Sequence, residues 1–365
     1  MKVALIGNSD VSIYTYRCEL IERLVSDGHN VTVVTPQGDR VSDMISMGCN
    51  YIEAQVDRHG TNPIKDVGLI KKYYRILKEI KPDVVLSYTI KPNIYASIVC
   101  SWLRIPIVVN VTGLGTAVEN PGWKQIVTTM LYRVAFKKVK TVFFQNEENR
   151  QFFAERNIAN KKHKMLPGSG VNLQKFSLSE YPDDSVINFV FVSRLMQEKG
   201  IDQYLEAADH ITSKYPQTKF HICGSCEDEY KQKMDKVTEN PKIVYHGTVK
   251  DVSRILQDMH CTVHPTYYPE GLSNVLLESC ATGRPIITTD RAGCREVVED
   301  GVNGFVCRPK DSDDLIRQIE KFLALNNEQR RQMGLAGRAK VEKEFDRQIV
   351  VNAYLSELEG ITQHG

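Results

Sequence analysis

The chain has no run of about 18 apolar residues, so nothing in it reads as a membrane-spanning helix. A secretory leader is also missing: Met1 to Ile6 leads straight into a strand and Asp10 follows at once, which makes the cytoplasm the expected compartment. No disulfide framework is visible. The nine cysteines, Cys18, Cys49, Cys100, Cys223, Cys226, Cys261, Cys280, Cys294 and Cys307, are odd in number and scattered, which fits buried thiols in a reducing environment. An excess of one charge sign is missing too: 47 Lys and Arg against 45 Asp and Glu leave a net +2, which argues against a nucleic-acid partner. Neither a repeat of solenoid length nor a low-complexity tract is evident.

What is present is enough chain for two cores: 365 residues, 42% hydrophobic. Charge is unevenly spread. Residues 1–180 hold 24 Lys and Arg against 16 Asp and Glu, net +8, and the remainder is net −6. A basic N-terminal half is suited to anionic partners such as lipid headgroups or phosphate-bearing ligands, although ordinary solvated surface would look the same. The run FKKVKTV at Phe136 to Val142 carries the same two readings, a membrane-facing patch or a solvated helix end.

Short β-rich runs alternate with helical patterns, which implies parallel sheets covered on both faces. In the first half, strands are expected at Lys2 to Gly7, Asn30 to Thr35, Asn50 to Glu53, Val84 to Ser87, Ile107 to Val111 and Thr141 to Phe144. The clearest helices there are Tyr14 to Asp27 and Val67 to Lys81. The second half repeats the scheme at Ile187 to Val192, Lys219 to Cys223, Ile243 to Tyr245, Cys261 to His264, Pro285 to Thr288 and Gly304 to Cys307. The expected fold is therefore α/β, two Rossmann-like domains facing a cleft, with ligands at the carboxyl ends of the strands. Pro167, Gly168 and Gly170 mark a hinge within Leu166 to Ser179. The expected division is a first Rossmann-like domain at 1–172, a second at 173–345, and a C-terminal segment at 346–365.

The most informative stretch is HPTYYPEGLSNVLLESCATGRPIITTD, in which Glu270 and Glu278 stand eight residues apart. Pro269 and Gly271 mark a turn, and Leu272 to Ala281 has helical apolar spacing, so Glu270 falls in a loop and Glu278 on a helix. Unpaired backbone N–H groups of Gly271, Leu272, Ser273 and Asn274 at that helix start favour a phosphate. A carboxylate such as Glu278 suits a vicinal ribose diol, and Glu270 suits sugar hydroxyls. The plain alternative is an acidic first turn and an exposed helical glutamate. In VFVSRLMQEKG, Arg194 lies just past a strand and Lys199 five residues on. Breaking a sugar–diphosphate bond builds negative charge on the leaving oxygen, and fixed cations lower that barrier.

These segments resemble the E-x7-E region and its surroundings in the family 4 retaining glycosyltransferases, which have the GT-B fold. The resemblance runs in order through KVALIGNSD, GHNVTVVTP, KPDVVLSYTIKPNIYASI, PIVVNVTGLGTA, LPGSGVNLQKF, VFVSRLMQEKGID, FHICG, HGTVKD and EVVEDGVNGFVCRPKD. Within that family, the run KPN followed by NVTGLGTA resembles bacterial enzymes that extend a saccharide on undecaprenyl diphosphate, including the N-acetylgalactosaminyltransferases of protein glycosylation. The resemblance implies that 1–172 is the acceptor-binding domain and 173–345 the nucleotide-sugar-binding domain, in which Arg194 and Lys199 bind the donor diphosphate, with Glu270 placing the sugar. It implies backbone contacts to the nucleobase from Gly247 and Val249, and a last helix, roughly Arg347 to Glu359, crossing back to the first domain. It further implies front-face transfer with retention, a UDP-sugar donor, and no metal or cofactor.

Two departures stand out. Where many relatives have paired glycines, this chain has GNSDVSIYTYR, so Ser9, Asp10 and Arg17 are assigned to the acceptor side. Where relatives often have a histidine, Thr112 and Gly113 cannot act as acid or base and are read as acceptor-side residues. Lys91 and Asn93 of the IKPN loop are also read as acceptor-side, or else as a polar loop. Other signals are declined. CGSC at Cys223 to Cys226 falls where a strand should end, and His221 with these thiols makes too small a zinc set. The DSD run Asp311 to Asp313 reads as a helix cap, and His59 and His246 as loop or structural residues.

The sequence thus points to transfer of a hexose or N-acetylhexosamine from a UDP-sugar to a lipid-diphosphate-linked saccharide, by a protein peripheral to the inner membrane face. Transfer to a soluble acceptor, epimerisation of UDP-N-acetylglucosamine and non-enzymatic sensing of a sugar nucleotide remain as alternatives.

Overall fold

A computed structural model describes residues 1–56, 63–115, 118 and 122–362. The chain divides into two compact units: Met1–Ser169 with Glu270–Leu272 and the chain from Arg347, and Gly170–Pro269 with Ser273–Asp346. His59, and Thr116 and Ala117 of the NVTGLGTA run, lie outside the described residues.

The first unit is built on β1 (Lys2–Ile6), α1 (Asp10–Ser26), β2 (Asn30–Thr35), α2 (Val41–Ser46), β3 (Asn50–Glu53), α3 (Pro63–Ile80), β4 (Val84–Tyr88), α4 (Ile90–Leu103), β5 (Ile107–Val111), α5 (Trp123–Ala135), β6 (Thr141–Phe144), α6 (Glu147–Glu155) and β7 (His163–Met165). The strands form one parallel sheet in the order β3-β2-β1-β4-β5-β6-β7, so the order reverses between β1 and β4. Every residue of β4, β5 and β6 is buried, because helices cover both faces. The edge strand β7, His-Lys-Met, pairs with β6 yet has no apolar pattern, so periodicity misses it. Helix α1 begins four residues before its expected start, because the Ser9 hydroxyl accepts from the Ser12 N–H at 3.3 Å and caps it.

The C-terminal helix, Arg347–Thr362, completes this unit by burying Val350, Val351, Tyr354 and Leu358 in the cluster that includes Leu20, Phe143 and Leu166. Burying one such side chain stabilises by about 1.5–3 kcal/mol at most. Polar contacts set the helix's register: Asn110 Nδ2 donates to the Tyr354 hydroxyl at 2.9 Å, and Thr141 and Lys164 both donate to Glu357. Arg347 pairs with Glu19 at 2.9 Å.

The second unit comprises β8 (Ile187–Val192), α7 (Ile201–Lys214), β9 (Thr218–Cys223), α8 (Asp228–Val237), β10 (Ile243–Tyr245), α9 (Val252–Gln257), β11 (Cys261–His264), α10 (Asn274–Ala281), β12 (Ile286–Thr289), β13 (Gly304–Cys307), α11 (Ser312–Ala324) and α12 (Asn327–Glu344). Its parallel sheet has the order β10-β9-β8-β11-β12-β13, reversing between β8 and β11. Strand β12 starts at Ile286 and not Pro285, since proline has no N–H for the ladder. Asp311 caps α11, its carboxylate accepting from the Asp314 N–H at 2.8 Å. Arg284 is fully buried and, among the described residues, pairs with no carboxylate; backbone oxygens of Leu256, Gln257 and Glu180 and the Ser179 hydroxyl hold it. None of the nine cysteines is in a disulfide, and seven of them are buried.

Candidate functional site

In the second unit, the loops that follow β8, β9, β10 and β11 meet at one edge of the sheet, where the strand order reverses. This is the position at which open α/β sheets bind ligands. The loop after β8 is clamped on both sides. Ser193 N–H donates to Cys223 O at 3.0 Å and Leu195 N–H to Ser225 O at 2.9 Å. Gly224, at φ +151°, packs so closely that a Cβ there would stand 1.7 Å from Ser193 O. The CGSC run is thereby a backbone support for the neighbouring Arg194, and burial pushes the Cys223 thiol up to about 11, which makes it a poor nucleophile. Arg194 itself is half exposed, with only a 4.0 Å approach to Glu227.

Lys199 ends a short 3-10 turn, Gln197–Lys199, and Gly200 at φ +80° turns the chain into α7. Gly200 also lets the backbone approach the loop after β11, since a Cβ there would lie 2.2 Å from Pro265 O. Tyr267 N–H donates to Glu198 O at 2.9 Å and the Thr266 hydroxyl to the same oxygen at 3.2 Å, joining the two loops. Lys199 is 9% exposed, its Nζ 4.7 Å from the centre of the Tyr268 ring. That ring is a contact sequence reasoning missed; the signal was the Tyr-Tyr pair just before Pro269. Threonines of β12 hold the same loop from below, Thr288 to His264 O at 2.8 Å and Thr289 to Thr266 O at 2.5 Å. Gly247 joins the edge through its carbonyl, which accepts from Gly224 N–H at 2.8 Å, and Val249 follows it, partly exposed.

Helix α10 starts at Asn274, two residues later than the apolar spacing predicts. Ser273 N–H is spent on Gly293 O at 2.8 Å, so it does not join the unpaired amides expected from Gly271 to Asn274. Asn274 Oδ1 is buried without a hydrogen-bond partner. Glu278 lies on α10 at intermediate exposure.

The segment Glu270–Leu272 belongs to the first unit. Asn146 holds it, donating from Nδ2 to Glu270 O at 3.0 Å and Gly271 O at 2.6 Å, while its own Oδ1 caps α6. A Cβ on Gly271 would meet Gln145 Oε1 at 2.4 Å and Thr112 O at 2.5 Å, so only glycine fits. The sequence signal for Asn146 was an asparagine between a strand end and two glutamates.

Two family models match the chain: "Glycosyl transferase 4-like" over residues 2–146 and "Glycosyl transferases group 1" over residues 174–340. The chain belongs to the GT-B glycosyltransferases. It is 24% identical to the N,N'-diacetylbacillosaminyl-diphospho-undecaprenol alpha-1,3-N-acetylgalactosaminyltransferase of Campylobacter jejuni, covering 97% of each protein. It is 25% identical to the Escherichia coli UDP-Gal:alpha-D-GlcNAc-diphosphoundecaprenol alpha-1,3-galactosyltransferase, covering 70% of each. Anabaena HepE, solved with UDP and glucose, shares the fold at a TM-score of 0.80 and 16% identity over 99% of both chains.

In this glycosyltransferase the residues assigned to the acceptor side all lie in the first unit. Ser9 and Asp10 are buried, the carboxylate of Asp10 accepting from Arg40 N–H at 2.9 Å. Arg17 is 3% exposed with its guanidinium 4.6 Å from the Tyr88 ring centre. Lys91 pairs with Asp66 at 2.8 Å, and Asn93 is buried, donating to Asn110 O at 2.8 Å. Thr112 and Gly113 follow β5, Gly113 at φ +140°. His246, declined as a base, stacks on His221, with the ring nitrogens 2.9 Å apart.

Proposed function

We propose that this glycosyltransferase moves a hexose or N-acetylhexosamine from a UDP-sugar to an undecaprenyl-diphosphate-linked saccharide at the inner face of the plasma membrane, with retention of configuration. The observation that carries this reading is the gathering of Arg194, Lys199 and the loops at Gly247 and Pro265–Pro269 on one sheet edge of the second unit. The names of the C. jejuni and E. coli relatives, both of which act on diphospho-undecaprenol acceptors, support the acceptor class.

Arg194 bridges diphosphate oxygens through its planar fork, and Lys199, oriented over Tyr268, supplies a point charge. As the anomeric carbon–oxygen bond to the diphosphate breaks, the acceptor oxygen forms its bond on the same face. Its proton passes to the departing phosphate oxygen, so no protein nucleophile or metal ion takes part. Glu270 positions the sugar hydroxyls, and Glu278 takes the ribose diol. Gly271, Leu272, Ser273 and Asn274 shape the phosphate end, with amides available from Asn274 onward. Gly247 and Val249 border the base. On the acceptor side, Lys91, Thr112 and Gly113 are the contacts, while the buried Ser9, Asp10, Arg17 and Asn93 support them.

The test is a thermal-shift screen of nucleotide sugars followed by turnover of the stabilising one with and without a lipid-linked acceptor. A ligand at a hundredfold its Kd should stabilise by about 2.7 kcal/mol. Transfer only with acceptor is the expected result. Turnover without acceptor would identify an epimerase, and binding without any turnover a sensor.

A further inference from the structure

Both tryptophans of the chain, Trp102 and Trp123, are exposed, at 61% and 66%. An indole normally gains by burial, so two left in water mark an unused face. Trp102 stands near the end of α4 and Trp123 opens α5, and these two helices pack together in the first unit. Along α5, Ile126, Val127, Met130 and Val134 are exposed as well. At about 100° per residue, these four and Trp123 fall on one stripe roughly 100° wide, opposite the buried Tyr132 and Ala135. The helix has two apolar faces, and only one serves the core.

Charge surrounds the other. Lys124 and Arg133 border the stripe on either side by the same helical geometry, and the exposed Lys137, Lys138 and Lys140 follow it. At the end of α5 is a recess of about 300 Å³ lined in part by Phe136, Lys137, Asn157, Lys161 and Lys162. Lys162 Nζ donates to Lys137 O at 2.9 Å, and among the described residues no carboxylate pairs with Lys137, Lys161 or Lys162. Apolar stripe, flanking cations and boundary indoles are together the features of a helix lying in a lipid interface. Isologous pairing with a second copy would bring these cations against one another, which disfavours a dimer through this face.

We propose that this face of the first unit docks on an anionic bilayer. The α5 stripe and both indoles lie at the boundary between headgroups and acyl chains, and the recess of Lys137, Lys161 and Lys162 takes a lipid phosphate. The proposal deepens the reading of a lipid-linked acceptor and rests on it.

Because the chain has only two tryptophans, its own fluorescence reports the contact. Phosphatidylcholine vesicles containing phosphatidylglycerol should shift the emission to the blue, and brominated acyl chains should quench it; Trp102→Phe and Trp123→Phe should each remove part of the signal. Vesicles of phosphatidylcholine alone should bind far less, and high salt should release the protein. Replacing Lys137, Lys161 and Lys162 by Gln together should weaken partition on the order of a hundredfold. The melting temperature and turnover on a water-soluble short-chain acceptor should be unchanged. Unshifted emission with anionic vesicles at low salt would overturn the proposal, as would binding that survives loss of the three lysines, or a lipid-free dimer with shielded indoles. Vesicle binding without any glycosyl transfer would leave the docking standing and remove the proposed reaction instead.

Discussion

At the scale of single residues, the proposed donor edge depends on two kinds of residue: cations that act and glycines that let backbones meet. Lys199→Ala should lower kcat by about 10²- to 10³-fold, the effect typical of losing one charge-stabilising donor, with an unchanged melting temperature. Full activity in the purified variant would remove Lys199 from the proposed mechanism. Gly200→Ala acts differently. Its φ of +80° and the 2.2 Å approach to Pro265 O predict a destabilisation of about 2–5 kcal/mol, measurable by denaturant unfolding. Arg194, Lys199 and Glu270 stood out in the sequence because charged residues beside glycine and proline turns are legible in one dimension. Tyr268 under Lys199, and Asn146 holding Glu270 and Gly271, were not. Each acts through a contact made in space, across 124 residues in the case of Asn146 and Glu270.

At the scale of elements, the pair formed by β9 and the turn after β10 carries a pH dependence. Burial holds His221 down at about 4, aided by His246 and Lys219, whereas the unfolded chain should titrate near 6.5. The unfolded state therefore binds more protons between those values. Stability is full above about pH 6.5 and declines as pH falls toward 4. The complete shift corresponds to roughly 3 kcal/mol, and partial solvation of the pair reduces the expected loss to about 1–2 kcal/mol. Unfolding measured at pH 7.5 and 4.5 should show it, with His221→Asn flattening the difference. Element positions were mostly legible, since fully buried parallel strands such as β5 read as continuous apolar runs. The exceptions have local causes: β7 is polar and at an edge, and α10 starts late because the Ser273 N–H is drawn to Gly293.

At the scale of the whole molecule, the proposed reaction needs no metal ion, so EDTA should leave transfer within about twofold of its original rate. Strong dependence on added Mn²⁺ or Mg²⁺ would contradict the scheme, in which Arg194 and Lys199 offset the diphosphate charge. Two Rossmann-like halves, their strand content and the charged motifs were set by local pattern, because apolar periodicity and glycine or proline punctuation act over a few residues. What only the tertiary structure decided was strand order, which places the loops after β8 and β11 side by side. It also decided that Arg17 is buried against Tyr88, that Lys91 is paired with Asp66, and that α5 leaves an apolar face in water. The physical reason is that burial and pairing depend on neighbours distant in sequence, and the periodicity of a helix shows that it has an apolar face without showing what covers it.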